Sequence, residues 1–326
     1  MNNRGIIDLI IALLPGLRAG ERIKIIDSIN NEDELLLKSK RDIEELLNRK
    51  LNRNWDINEL RDRADRIDTI SRMRSIKWVS WLSTEYPPLL REIYDPPAVL
   101  FYKGCLPNPE KSLLGMVGTR KPSPEASSQA YKIAYGAGIA GISVVSGLAI
   151  GIDSMSHRGN IAGGAPGYAV LGSGVDEIYP SSNRSLAKKI LDSGGAIISE
   201  YLPGVCPSKW NFPARNRIIS GLSRSVLIVE APKKSGALIT ASFALEQGKE
   251  LWAASSGIQP SGTLIDKTGT IKLYEDGAEI IYSERDIFEK WNMEIADNER
   301  NVMNNQGITG IKGLVSNMAN FLEIEV

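Results

Sequence analysis

Apolar positions recur at helical spacing through residues 1–75: Ile6, Ile7, Ile10, Ile11 and Leu14, then Leu46, Leu47, Leu60, Ile67 and Ile70, set among dense charges of both signs. That spacing predicts a small domain of amphipathic helices. Leu14-Pro15-Gly16-Leu17 reads as a turn within it, and 27–33 as a further helix boundary. Residues 76–110 contain Trp78, Trp81 and the prolines 87, 88, 96, 97, 107 and 109, which predict an extended connector. From Leu113 the pattern becomes short apolar runs, at 113–118, 142–146, 168–171, 196–199, 225–230, 250–254 and 278–282, alternating with helical stretches. Strands that alternate with helices pair in parallel through right-handed crossovers. Residues 111–285 are therefore expected to form an α/β, doubly wound, mostly parallel sheet with helices on both faces and its ligand site beyond the carboxyl ends of the strands.

Composition narrows the functional classes. A chain of 326 residues with 42% hydrophobic and 24% charged residues is an ordinary globular protein of about two domains. Thirty-nine basic residues balance thirty-nine acidic ones, which excludes a globally basic nucleic-acid binder and leaves only local clustering to attract an anion. Cys105 and Cys206 are too few for a disulfide framework or a cysteine zinc site and suit a reducing compartment. The apolar stretch 6–14 is short and carries Asp8, so it is expected to be neither signal peptide nor membrane span, and the protein to be cytoplasmic. One histidine, His157, excludes a multi-histidine metal site. The segment 286–326, seven acidic against three basic side chains, reads as an acidic tail appended to the core.

The residues directly after each strand are the candidates for chemistry. They are Gly118-Thr119-Arg120; Ser146-Gly147 through Asp153; Gly172-Ser173-Gly174 through Tyr179-Pro180; the loop ending Asn211-Phe212-Pro213-Ala214-Arg215-Asn216-Arg217; and Lys233-Lys234-Ser235-Gly236 through Thr240. Glycines there let backbone N–H groups approach an anion, and each following helix adds its positive N-terminal end. Residues 120–234 also hold thirteen Lys or Arg against seven Asp or Glu, a local basic patch inside a neutral chain. Two guanidiniums, an amide and an aromatic ring within 212–217 combine phosphate contact with base stacking, as single-strand binders do. Each motif also has a plainer reading. Phe212 could pack in the core, Ser235 and Thr240 could belong to an ordinary strand-to-helix turn, and Asp153 could clamp a helix start or orient His157 four residues on. Gly172-x-Gly174 lacks the third glycine of a dinucleotide fingerprint, and there is no phosphate-binding loop of the Walker type. No cofactor is expected.

These ordered motifs resemble the bacterial DNA-processing protein A family, also called DprA or Smf. The resemblance rests on Gly118-Thr119-Arg120, on 146–153 with His157, on 170–180 with Asn183, on Ser199-Glu200, on 212–223, on 229–231 and on 235–241. It implies an extended Rossmann-like domain behind a SAM-like helical domain. It also implies a homodimer without catalysis that binds single-stranded DNA and helps load the RecA recombinase during natural transformation. In the family the arginine of the Gly-[Ser/Thr]-Arg motif, here Arg120, belongs to the strand-binding pocket; the charges and loop positions described above add Gly118, Thr119, Ser146, Gly147, Gly172, Gly174, Phe212, Arg215, Asn216, Arg217, Ser235, Gly236 and Thr240, with Asp153 and His157 structural. The chain departs from the family where Ser255-Ser256-Gly257 replaces Pro-Gly and where 262–276 diverges. Two competing readings remain. One is a nucleotide-processing phosphoribohydrolase of the lysine-decarboxylase-like group, whose catalytic glutamate has no counterpart here because Glu246 falls about a turn late. The other is a nucleotide-sensing module.

Overall fold

The computed structural model describes residues 6–260 and 265–293. Five helices come first: α1 (Ile7–Leu13), α2 (Ala19–Ser28), α3 (Glu32–Leu37), α4 (Lys40–Leu47) and α5 (Ile57–Met73). Their starts are set by local chemistry. Asn31 accepts from the Glu34 N–H, Ser39 and Asp42 form a reciprocal capping box, and Asp56 accepts from the Asn58 N–H. The rest alternates β1 (Lys77–Ser80), α6 (Pro88–Arg91), β2 (Val99–Gly104), β3 (Leu113–Val117), α7 (Pro124–Ile139), β4 (Ser143–Ser146), α8 (Ile152–Ala162), β5 (Tyr168–Val170), α9 (Arg184–Asp192), β6 (Ala196–Ser199), α10 (Asn211–Leu222), β7 (Ser225–Ile228), α11 (Gly236–Glu246), β8 (Glu250–Ala254), α12 (Thr268–Glu275), β9 (Glu279–Ile281) and α13 (Glu284–Lys290).

Among the described residues, nine strands form one sheet in the order β1-β2-β6-β5-β4-β3-β7-β8-β9. From β6 to β9 every pairing is parallel. The seven apolar runs read from the sequence are those seven parallel strands. Their central members are buried from end to end because helices cover both faces. Along β3 the pleat sends Leu114 and Met116 to the side of α7, α8 and α13, and Leu113 and Val117 to the side of α10 and α11. A third apolar cluster joins the helical domain to the sheet: Ile10, Ile25, Ile26 and Leu60 pack in one body with Phe101, Leu171, Ala187 and Ile190.

Two sequence expectations need correcting. The segment 76–110 is more than a connector, because β1 and β2 extend the sheet antiparallel from β6, with Phe101 opposite Ser199. Its prolines flank these strands instead of breaking them, and the buried Tyr86 hydroxyl donates to the Pro97 carbonyl at 2.8 Å. The acidic tail does not begin at 286 either. Helix α13 crosses that boundary and buries Ile287, Phe288 and Trp291 against α7 and β8. The rest of the tail, and Gly262 to Leu264 of the diverged segment, lie outside the described residues. Among the described residues, no helix is long and apolar enough to cross a membrane, and no group of His, Cys, Asp or Glu could hold a metal ion.

Candidate nucleic-acid interface

The strand order reverses between β3 and β7, and a crevice opens beyond the carboxyl ends of strands at such a point. Here it is a cleft of about 680 Å³. Its walls come from the turn after β3, the β4–α8 loop, Tyr179 after β5, the start of α10 and the β7–α11 turn.

The rim is cationic. Arg120, Lys209 and Lys234 line the cleft with exposed side chains. Arg120 lies over the Phe212 ring at 5.8 Å, and the Tyr179 ring stands 5.5 Å from the same ring. Phe212 is thus half-buried between a guanidinium and a second aromatic, both on the cleft, rather than lost in the core.

The floor is made by the start of α11. Ser235 caps it by accepting the Ala237 N–H at 3.2 Å, and open space surrounds Gly236 where a side chain would stand. The helix therefore presents bare backbone to the cleft. Thr240, one turn on, is 1% exposed, and its hydroxyl has no hydrogen-bond partner. A buried polar group without a partner costs about 1–3 kcal/mol, so this hydroxyl favours a ligand that supplies one. Asn216 lines the same wall, its amide donating to the Gly236 carbonyl at 3.0 Å.

Arg215 faces the cleft but is committed elsewhere. Only 5% exposed, its Nη1 donates to the carbonyls of Gly147, at 3.0 Å, and Val170, while Nε donates to Asn216 at 3.2 Å. Burial lowers its pKa to about 10, opposed by the charge of Asp153, so it remains a cation at neutral pH. Asp153 accepts the N–H groups of Gly147 at 3.0 Å and Ala149 at 3.4 Å; burial pushes its carboxyl up, and Arg215 opposes that. Gly147 is glycine because a side chain would strike both groups: a Cβ would lie 2.6 Å from Arg215 Nη2 and 2.7 Å from Asp153 Oδ2. The glycine serves this buried pair, not an incoming phosphate.

Arg217 is a correction. It is absent from the cleft lining and donates to both Glu200 oxygens, at 2.7 and 2.6 Å, and to Asp95 Oδ2 at 3.1 Å. Against the cost of burial, these partners hold its charge above the usual arginine range. Residues two apart on a helix lie about 200° apart, so with Arg215 toward the cleft, Arg217 must face away.

The other expected residues divide in the same way. Gly118 and Thr119 line the cleft; Ser146, Gly147, Gly172 and Gly174 do not. Ser146 is buried and donates to the Met116 carbonyl at 2.6 Å, and the space beside Gly174 is taken by the Leu202 carbonyl. His157 is fully buried with neither ring nitrogen partnered, so Asp153 does not orient it. Burial, then the Arg215 charge, lowers its pKa to about 3 and keeps it neutral. Lys209 was missed as a site residue, whereas Lys234 and Tyr179 stood in the expected rim loops without a strand-binding role assigned to them. The signal for Lys209 was its place three residues before Phe212, and for Lys234 its place directly before the expected Ser235-Gly236.

Known proteins point the same way. Residues 77–292 match the model of the family described as DNA recombination-mediator protein A. Protein Smf of Synechocystis is 44% identical over 207 residues, 62% of this chain and 51% of that protein, so the match spans about half the relative's length. The DNA processing protein DprA of Bacillus subtilis is 43% identical over 211 residues, 64% of this chain and 69% of its own. The DprA structure from Streptococcus pneumoniae superimposes with a TM-score of 0.68 at 30% identity, covering 88% of this chain and 98% of that one. That of Helicobacter pylori DprA, described for its single-stranded DNA binding mode, gives 0.56 at 25% identity over 66% and 95%.

Proposed function

The chain belongs to the DNA recombination-mediator protein A family, and we propose on that premise that it binds single-stranded DNA in the cleft at the strand-order reversal and acts by binding, without catalysis. The observation that carries this reading is the Arg120–Phe212–Tyr179 cluster, its two rings tilted by 38°, on a rim that also carries Lys209 and Lys234. Exposed cations take phosphates, and an aromatic pair takes a base edge-on or face-on whatever its identity. Bare backbone at Gly236 and the unpartnered Thr240 hydroxyl offer donors to a phosphate at the floor, aided by the N-terminal end of α11.

Family membership extends the proposal. The protein, a homodimer in the cytoplasm, would shield incoming single strands and help load RecA on them. A phosphoribohydrolase activity has less support, because Glu246 does not line the cleft and Asp153, the one carboxylate that lines it among the described residues, is held by backbone N–H groups beside Arg215. Fluorescence polarisation with oligo-dT at two ionic strengths tests the reading. Affinity should fall steeply with salt and vary little with base sequence. Binding that ignores salt, or released free base from mononucleotides, would overturn it.

A further inference from the structure

Six tryptophans occur in the chain. Trp252 and Trp291 are buried, Trp55, Trp78 and Trp81 are half-buried, and Trp210 alone is exposed, at 75%. It stands at the start of α10, two residues before Phe212, and Lys209 lies over its ring at 4.8 Å. Lys209 also lines the cleft, so one ammonium borders both the cleft and the indole. We propose that Trp210 is a second stacking platform, outside the cleft, for the base adjacent to the one held by Phe212, with Lys209 on the phosphate between them. This rests on the single-strand reading and deepens it: the site takes a run of at least two unpaired bases.

The geometry supports that division of labour. Two residues apart at a helix start, the rings face different ways. Phe212 turns to Tyr179 inside the cleft, while Trp210 keeps its ring in solvent with a cation on it. An indole left in water forgoes the burial its area would give, and a base laid on it recovers that burial without needing a particular sequence. Paired bases are already stacked on neighbours within a duplex, so the platform discriminates for unpaired strands.

The test uses the full chain, with Trp210→Ala and Trp210→Tyr beside it. Trp210 has no core role to lose, and unchanged melting temperatures confirm that the variants fold. On adding short oligo-dT, tryptophan emission of the wild type should be quenched, and Trp210→Ala should lack that quenching. The Trp210→Ala variant should bind the oligonucleotide about tenfold more weakly, Trp210→Tyr should recover most of the loss, and thymidine monophosphate, which occupies the cleft alone, should compete equally in all three. Oligo-dT affinity unchanged in Trp210→Ala would overturn the proposal and leave the ring for another occupant such as a protein partner. An equal loss for the mononucleotide would overturn it too, placing Trp210 in the cleft. If the wild type binds no oligo-dT, or Arg120→Ala binds as well as wild type, the single-strand reading itself has failed; if only Trp210→Ala is silent, that reading stands and the platform does not.

Discussion

Two faces of α10 carry arginines two residues apart, and they do opposite things with the same charge. On the cleft side Arg215 is spent on strand-end carbonyls beneath a rim whose exposed cations are Arg120, Lys209 and Lys234. On the far side Arg217 is locked to Glu200 and Asp95. A basic patch counted along the chain therefore overstates the charge offered to a ligand. What matters is which cations lack a built-in anion, and these lie in turns, not inside the helix.

The largest effect that could break this contrast is on the locked side. Replacing Arg217 by Ala strands Glu200 and Asp95 and should cost about 3 kcal/mol of stability, lowering the melting temperature by about 4–5 °C, while the protein that remains folded binds oligo-dT within about twofold of wild type. A selective loss of binding without melting change would reverse the assignment. On the open side Arg120→Ala should leave melting unchanged, weaken oligo-dT about 10- to 30-fold whatever the sequence, and reduce the salt slope by about 1. Polarisation titrations at several salt concentrations give both numbers.

The buried side has a pH signature. His157 titrates near 3 when folded and near 6.5 when unfolded, so the unfolded chain binds a proton that the native state refuses. Stability from this source is complete above about pH 6.5 and declines toward pH 3, by about 1.4 kcal/mol per pH unit within that window. Denaturant midpoints for His157→Met should show a shallower decline over the same range; the difference between variant and wild type isolates the histidine from carboxylates such as Glu21 that titrate there too. The smallest and most pointed test is Thr240→Val. Removing a buried hydroxyl that has no partner should leave stability unchanged or raise it by up to about 1 kcal/mol, yet weaken oligo-dT a few-fold. Loss of stability would mean that the hydroxyl already had its partner.

The parallel core was legible because its buried central strands are uninterrupted apolar runs, and the near wall of the cleft because Gly118-Thr119-Arg120 follow β3 directly; the glycines after β4 and β5 proved to serve packing instead. The strands β1 and β2 were hidden by the prolines around them, although 99–102 is itself an apolar run. Arg217 could not be sorted from Arg215 by composition. Its partner Asp95 lies 122 positions away and Glu200 seventeen, and nothing local announces either contact. Tyr179 was visible as part of the rim loop after β5, but its ring contact with Phe212 was not, since that depends on where the loop brings it in space.

The apolar seam shared by the N-terminal helices and the β5–α9–β6 flank has an architectural consequence. A fragment trimmed to the segment the family has in common would bare Leu171, Ala187 and Ile190 to water and forfeit the leucines and isoleucines that now cover them. The N-terminal helices and the sheet they adjoin should consequently melt as one cooperative unit, and the helices are better regarded as a permanent wall of the building than as a detachable annexe.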